Sequence, residues 1–265
     1  MPEPSPMFLQ KPFSLAHAQS LFGGSDAKKA TLLIKNMPFN YGYIESEFGG
    51  ALVAADWTTA VTAGGGPTEF AFSAVRGGVA QGATGTTDND VTAIYRTQTF
   101  LDPGDFPFML IRWTVNTITS FSFEIGFSDP KTDEALPGVT DVDTPTVGNG
   151  VTDILCVHMD TDQTLTTAAL VGDGTTGAAA KTDIGTYTPS AAVPQTMMIG
   201  VRPNIGFCAV WDGDGSAGNI IYSVSNGPDT GVLVRPYALF RTRNTASKTI
   251  NIAFIAFGCE RSMTV

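Results

Sequence analysis

The sequence predicts an all-β protein folded as a two-sheet antiparallel sandwich. Short runs of alternating apolar and polar residues recur along the chain, and clusters of glycine, threonine, aspartate and proline separate them as turns. Charged residues make up only 15% of the 265 residues, and the chain contains 29 glycines, which favours many turns over charged helix faces. A chain of this length fits one large β domain with an appendage.

The first 40 residues are predicted to form an extended arm ahead of a sandwich domain at 41–265. Prolines at positions 2, 4, 6 and 12 favour an extended backbone. Ser14 can cap a short helix that the glycine pair at 23 and 24 would end. The apolar side chains of the arm need a surface to lie on, which is either their own domain or a neighbouring subunit. The residues predicted to bind a partner are Phe8, Phe13, Lys11, Lys28 and Lys29.

The stretch at 106–129 organises the predicted sandwich. In each of its two runs every second residue is large and apolar, and a short polar break at 116–120 separates the runs. This pattern predicts a β-hairpin with one apolar face, which a second sheet must cover. The side chains predicted to share one core between the sheets are Trp113, Phe121, Phe123, Ile125, Phe127, Ile252 and Phe254.

The remaining strands are predicted from the same alternation. The closing strand at 248–258 is apolar on both faces and is therefore expected at the centre of its sheet. Loops at 77–90, 129–150 and 172–194 exceed the usual length, so we expect them to be functional or mobile. The predicted strands are 69–75, 91–97, 107–116, 120–128, 153–160, 164–171, 196–202, 205–211, 219–224, 231–241 and 248–258.

Charge is distributed unevenly along the chain. The net charge is −10, but residues 1–40 carry +2 and residues 235–265 carry +4, so the part between them carries −16. An acidic body of this kind repels nucleic acids and anionic membranes, and neither is predicted as a partner. The basic ends are suited to binding acidic neighbouring subunits.

Cysteine usage indicates the compartment in which the chain folds. The three cysteines are an odd set embedded in apolar strands, which predicts buried free thiols and folding in a reducing cytoplasm. The beginning of the chain does not match a secretory signal, and no run of 18 apolar residues occurs. We therefore expect a protein that is neither exported nor membrane-spanning.

Two stretches contain residue types that bind metals. The stretch at 212–219 resembles a shortened calcium loop, but it lacks the terminal acidic residue of such loops, and a plain turn is favoured. The strand at 156–162 places a cysteine, a histidine and two aspartates on one face. A strand that runs from a buried cysteine to an exposed aspartate is the favoured interpretation. No metal or other cofactor is predicted.

The sequence does not indicate a catalytic constellation. Cys156 and His158 would lie about 6.5 to 7 Å apart on one strand, too far for a nucleophile and its base. Glu124 stands alone on its strand, and the acidic residues at 129, 133 and 134 fall in the loop that follows, unlike the paired carboxylates of a glycosidase. The glycines at 77–85 lack the lysine of a phosphate-binding loop. We therefore predict a protein that is not an enzyme.

The stretch at 231–258 resembles the last hairpin of concanavalin A-like jelly-roll domains of bacteriophage virion proteins, with an apolar strand, a polar turn and an apolar closing strand. The segment at 112–129 is similar to the same family through the pattern F-x-x-G-F-x-D at 123–129. The resemblance covers about residues 45–260 and implies a two-sheet jelly roll. The family includes lectins and glycanases, but neither the acidic catalytic run of the glycanases nor the metal cluster of the legume lectins is recognisable here.

The resemblance, the proline-rich arm and the low charge predict a non-enzymatic virion structural protein, either a capsid decoration or a tail-associated subunit. Such a protein would be assembled in the host cytoplasm, form homo-oligomers and bind other virion proteins such as the major capsid protein. The alternative is a lectin-like module that binds carbohydrate, for example on a host surface, through an exposed aromatic residue such as Trp57, Tyr95 or Trp211. A glycan-cleaving enzyme is a third hypothesis.

Overall fold

The computed structural model describes residues 41–47, 56–73, 79–175, 177–185, 187–202, 205–211 and 222–260, with the backbone alone at 41–47, 72–73, 211, 254 and 260. The predicted arm, its short helix and its five partner-binding residues lie outside the described residues, as does the stretch at 212–219 for which a plain turn is favoured.

The described part of the chain is all-β, as predicted, with a single turn of 3-10 helix at Pro103–Asp105. No helix within it is long and apolar enough to cross a membrane. The strands are β1 (Tyr41–Glu47), β2 (Trp57–Val61), β3 (Thr68–Ser73), β4 (Val79–Ala83), β5 (Val91–Arg96), β6 (Phe108–Val115), β7 (Phe121–Ser128), β8 (Val139–Asp141), β9 (Thr146–Val147), β10 (Ile154–Asp160), β11 (Ala169–Asp173), β12 (Ala180–Asp183), β13 (Gln195–Arg202), β14 (Ile205–Trp211), β15 (Tyr222–Ser225), β16 (Arg235–Thr242) and β17 (Thr249–Glu260).

Two large antiparallel sheets form the sandwich. The eight-stranded sheet has the order β15-β14-β13-β6-β17-β4-β3, and β1 pairs with the second half of β17 beyond β4. The seven-stranded sheet has the order β12-β11-β10-β7-β16-β5-β2. The short strands β8 and β9 pair only with each other. The closing strand β17 lies inside its sheet between β6 and the pair of β4 and β1, which confirms its predicted central position.

The predicted hairpin at 106–129 is wrong, because its two strands belong to different sheets. Strand β6 is in the eight-stranded sheet and β7 is in the seven-stranded sheet. Their apolar sides face each other across the sandwich, with the Trp113 ring centroid 5.2 Å from that of Phe123. The same correction applies to the stretch at 231–258, because β16 and β17 also lie in different sheets. Alternation identifies the apolar face of a strand, but it does not tell whether the next strand pairs beside it or packs opposite it.

The predicted core is confirmed for every member whose side chain is described. Trp113, Ile252 and the four alternating apolar residues of β7 are fully buried in one cluster between the sheets. A bulge in β17 changes the face of the residues after it, since Ile252 pairs with Trp113 while residue 254 pairs with the next residue, Arg112. Ile255 and Phe257 therefore point into the core in the second half of β17. The side chain of residue 254, the remaining predicted member, is outside the described residues.

Candidate functional site

The outer face of the seven-stranded sheet is covered by its own chain. The segment at 129–152, which connects β7 to β10 and includes β8 and β9, lies across this face, and we call it the roof. Its apolar residues join outward-facing residues of four strands, β5, β10, β11 and β16, in a second buried cluster outside the main core. The cluster consists of Val91, Ala93, Val139, Val142, Val151, Ile154, Cys156, Ala169, Val171, Tyr237 and Leu239.

Glu124 fastens the roof to the sheet. It points outward from the middle of β7 and is fully buried. Its Oε1 accepts the N–H of Val139 at 2.8 Å, and its Oε2 accepts the N–H of Gly138 at 2.9 Å. The ammonium of Lys131 lies 3.4 Å from Oε2, and the hydroxyl of Tyr237 donates to Oε2 at 3.2 Å. All these donors hold the carboxylate in place, so its role in this structure is to anchor the roof.

The charge of Glu124 is stabilised where it is buried. Burial by itself would raise the pKa of this carboxyl, but the nearby Lys131 ammonium, the imidazole of His158 and the N–H of Gly138 outweigh burial. The pKa falls to about 2, so Glu124 is ionised at neutral pH. A carboxylate with such a low pKa, already bonded to several donors, is not suited to act as a general acid.

Cys156 and His158 share the outward face of β10, as their spacing predicted, but the roof encloses them. His158 is the cross-strand neighbour of Glu124, with its Nδ1 3.5 Å from Oε1. Cys156 is fully buried, and burial raises the pKa of its thiol far above the ordinary value. Within the described ranges, no group of three or more histidine, cysteine or acidic residues is arranged to hold a metal ion.

Asp160 ends the same face of β10 in a network with two arginines. It is fully buried and accepts hydrogen bonds from Arg241 Nη2 at 2.6 Å and from Arg243 Nε at 2.7 Å. Asp162, in the turn after β10, lies 3.6 Å from Arg243 Nε and has a side chain that is 45% exposed. The strand thus runs from buried Cys156 to buried Asp160, the exposed aspartate follows in the turn, and both aspartates contact arginines of the β16 region.

Part of the outer face next to the roof stays partly open around Tyr95. This half-buried tyrosine lies on β5 at the edge of the second cluster. The guanidinium carbon of Arg235 lies 4.4 Å from the centre of its ring, and Arg235 also forms an ion pair with Glu134 of the roof. Thr58 of β2 is the cross-strand partner of Tyr95, and its hydroxyl shares a 2.9 Å hydrogen bond with the hydroxyl of Thr97. We call Thr58, Tyr95, Glu134 and Arg235 the Tyr95 surface.

The hydroxyl of Tyr95 is protonated at neutral pH. Burial raises the pKa of Tyr95, and the negative charge of Glu134 raises it further while Arg235 opposes the increase. Tyr95 makes no side-chain hydrogen bond to the residues that the structure describes. An aromatic ring with its hydroxyl, a carboxylate and a guanidinium therefore lie together at the roof edge.

The other aromatic residues named from the sequence are placed differently. Trp57 is only 4% exposed and packs edge-on against Phe257 in the core, so it is not available to a ligand. The side chain of Trp211 is outside the described residues. Two of the loop carboxylates serve the roof itself, since Asp129 accepts from the Thr152 hydroxyl and Asp133 accepts from the N–H of Ala135.

Comparison with known proteins shows the fold. No family model and no curated protein sequence matches the chain. Among solved structures, a protein of unknown function from Shewanella oneidensis MR-1 is similar at a TM-score of 0.56 and 13% identity, over 91% of this chain and 96% of that one. Peanut lectin is similar at 0.54 and 9% identity, over 83% and 97%. The carbohydrate recognition domain of Emp47p is similar at 0.52 and 13% identity, over 83% and 95%.

The chain therefore has the β-sandwich fold of the concanavalin A-like and legume lectins, which confirms the predicted jelly roll. Identities this low show the fold alone.

Proposed function

We propose that this protein is a non-catalytic module that binds carbohydrate at the Tyr95 surface. The carrying observation is that this part of the outer face is partly open and combines an aromatic ring with hydrogen-bonding groups. The comparisons support the proposal, because peanut lectin and the carbohydrate recognition domain of Emp47p have the same fold.

The chemistry of the Tyr95 surface fits a sugar ring. The face of an aromatic ring packs against the C–H groups of a sugar, and the Tyr95 hydroxyl can donate to a ring oxygen. Glu134 accepts hydrogen bonds from sugar hydroxyls, and the Thr58 hydroxyl can donate or accept one. The ion pair with Arg235 holds Glu134 in place beforehand, which reduces the ordering cost of binding. The anchored Glu124 and the enclosed Cys156 support binding rather than catalysis.

A glycan array followed by titration of a bound glycan tests this proposal. We expect the full chain to bind glycans, Tyr95→Ala to weaken binding by about tenfold or more, and Tyr95→Phe to weaken it less, because stacking remains when the hydroxyl is lost. Leu233→Ala is the matched control, since Leu233 is 46% exposed and is not part of the Tyr95 surface. Absence of glycan binding would overturn the function, and unchanged binding by Tyr95→Ala would overturn the site.

A second candidate is the virion structural protein indicated by the arm and by the phage resemblance. The predicted arm immediately precedes β1, whose first residue, Tyr41, pairs with residue 260 at the end of β17. In this proposal the basic arm residues bind acidic neighbouring subunits, either other copies or the major capsid protein. Glycan binding by the same protein is compatible with attachment to a host.

Deletion of residues 1–35 tests this second candidate. Every described strand begins after residue 40, so we expect the sandwich to stay folded with a nearly unchanged thermal transition. Self-association or attachment to particles should be lost, as measured by light scattering and co-sedimentation. Failure of the truncated chain to fold would show that the arm completes its own domain. Assembly with unchanged affinity would place the contacts elsewhere.

A further inference from the structure

The loop between β5 and β6 holds a bulky side chain in a strained backbone conformation. Phe106 has φ 50° and ψ 58°, in the left-handed region that residues with large side chains rarely adopt. Such conformations cost free energy, persist only when surrounding contacts impose them, and are concentrated at ligand-binding sites. Phe106 is therefore a candidate for a ligand contact.

Hydrogen bonds to two other segments impose this conformation. Oδ1 of Asp102 accepts the N–H of Gly104 at 2.7 Å and the N–H of Gly231 at 3.1 Å, which ties the loop to the chain before β16. The N–H of Val201 in β13 donates to the carbonyl of Pro107 at 2.8 Å. The backbone of the loop is thus fixed on both sides of Phe106.

The ring of Phe106 lies at the surface instead of in the core. It is half-buried, and the guanidinium carbon of exposed Arg202 lies 5.9 Å from its centre. Arg202 has no carboxylate partner, and the Asp105 side chain accepts no hydrogen bond, within the part of the chain that the structure describes. Ile205 of β14 is the cross-strand partner of Arg202 in β13 and is 47% exposed. We call Asp105, Phe106, Arg202 and Ile205 the Phe106 surface.

We propose that the Phe106 surface is a second glycan-contact site, which takes a sugar residue bearing a carboxylate, such as a uronic acid. Arg202 pairs with the sugar carboxylate, because a guanidinium binds this planar group through two hydrogen bonds. Phe106 and Ile205 pack against the C–H face of the ring, and Asp105 accepts from a ring hydroxyl. The whole chain carries −10, so the site is suited to one isolated carboxylate and not to a polyanion.

This inference rests on the proposed function, because it takes the ligand to be a glycan, but it uses residues separate from the Tyr95 surface. Its test uses methyl β-D-glucuronide and methyl β-D-glucoside as probes, with binding to the full chain followed by ligand-observed NMR. The variants are Phe106→Gly and Arg202→Gln. Glycine adopts φ 50° without strain, which offsets part of the cost of removing the half-buried ring, so Phe106→Gly is expected to fold. The control is Leu136→Ala, at a roof residue that is 44% exposed.

We expect the wild-type chain to bind the glucuronide, and both variants to weaken that binding by about tenfold or more while Tyr95→Ala and Leu136→Ala leave it unchanged. The proposal is overturned if the glucuronide does not bind, or if its binding is lost in Tyr95→Ala and kept in Arg202→Gln. If the wild-type chain still binds the glucoside in either case, the Tyr95 surface remains the proposed glycan site. Absence of binding by both sugars and by the glycan array would overturn both proposals together.

Discussion

Phe123→Ala is expected to lower the free energy of unfolding by about 3 to 5 kcal/mol, because it leaves a cavity at the centre of the core. Phe123 is fully buried, and its ring lies 5.2 Å from Trp113 of the opposite sheet and 6.1 Å from Phe121. Removing the ring therefore removes contacts between the sheets as well as within one sheet. Chemical denaturation followed by tryptophan fluorescence measures the loss.

Phe100→Ala is the matched control for this substitution. Phe100 is 38% exposed and its ring meets Phe257 edge-on, so we expect a loss of about 1 kcal/mol or less. A loss below about 1 kcal/mol for Phe123→Ala would contradict the placement of β7 opposite β6.

Lys131→Met is expected to destabilise the protein by about 3 to 5 kcal/mol, because it leaves the buried charge of Glu124 without its counter-ion. The side chains of both residues are almost completely buried, at 1% and 0% exposure. Methionine keeps much of the length of the lysine side chain, so packing changes little. The double variant Lys131→Met/Glu124→Gln should recover part of the loss, since it removes the unpaired charge. Chemical denaturation of the single and double variants measures both effects.

Lys181→Met provides a matched surface control. Lys181 lies 3.5 Å from Asp183, their side chains are 24% and 53% exposed, and pairs at the surface contribute at most about 1 kcal/mol. Equal losses for Lys131→Met and Lys181→Met would show that Lys131 does not neutralise a buried charge.

Acid should weaken the anchoring of the roof. The pKa of Glu124 is about 2 in the folded protein, below the value of about 4.3 for an unfolded chain. Stability from this group is therefore present above about pH 4.3 and is lost as the pH falls toward 2, because the unfolded chain takes up the proton first. Denaturation curves between pH 6 and about pH 2 should show this loss in the wild-type chain and a smaller one in the Glu124→Gln variant. An identical acid dependence in the two proteins would contradict the assignment.

The candidate site could be predicted only in part. Tyr95 was recognisable as a candidate ligand contact, but its partners Arg235 and Glu134 come from distant parts of the chain. Glu124 stands alone on its strand, on the side opposite the apolar core residues, and this pattern did not predict that it would be buried. Its spacing from Lys131 could not identify that residue as its partner, because the contact depends on how the roof folds back. Phe106 gave no signal, since backbone strain is not visible in a residue type.

The amino-acid sequence by itself determined the class of the fold, most of the strands and part of the core. All eleven predicted strands overlap observed ones, and 205–211 coincides with β14. The physical reason is that the alternation of apolar and polar residues shows which side of a strand must be buried, and this pattern is local in the sequence. Strands with short or largely polar sequences, such as β4 with VAQGA and β12 with AKTD, were not predicted. These strands form because neighbouring strands offer backbone hydrogen bonds, which the residue pattern does not show.

Only the tertiary structure decided which apolar faces met and what covered the outer face. Strands β6 and β7 could pair edge to edge or pack face to face with the same alternation, and the sandwich selects the second arrangement because it buries both faces at once. Likewise, the long loop at 129–150 became a roof and not an open binding loop because Glu124 binds its backbone N–H groups and Lys131. Register, the bulge in β17 and buried ion pairs all depend on contacts between residues far apart in the chain, which local sequence patterns do not specify.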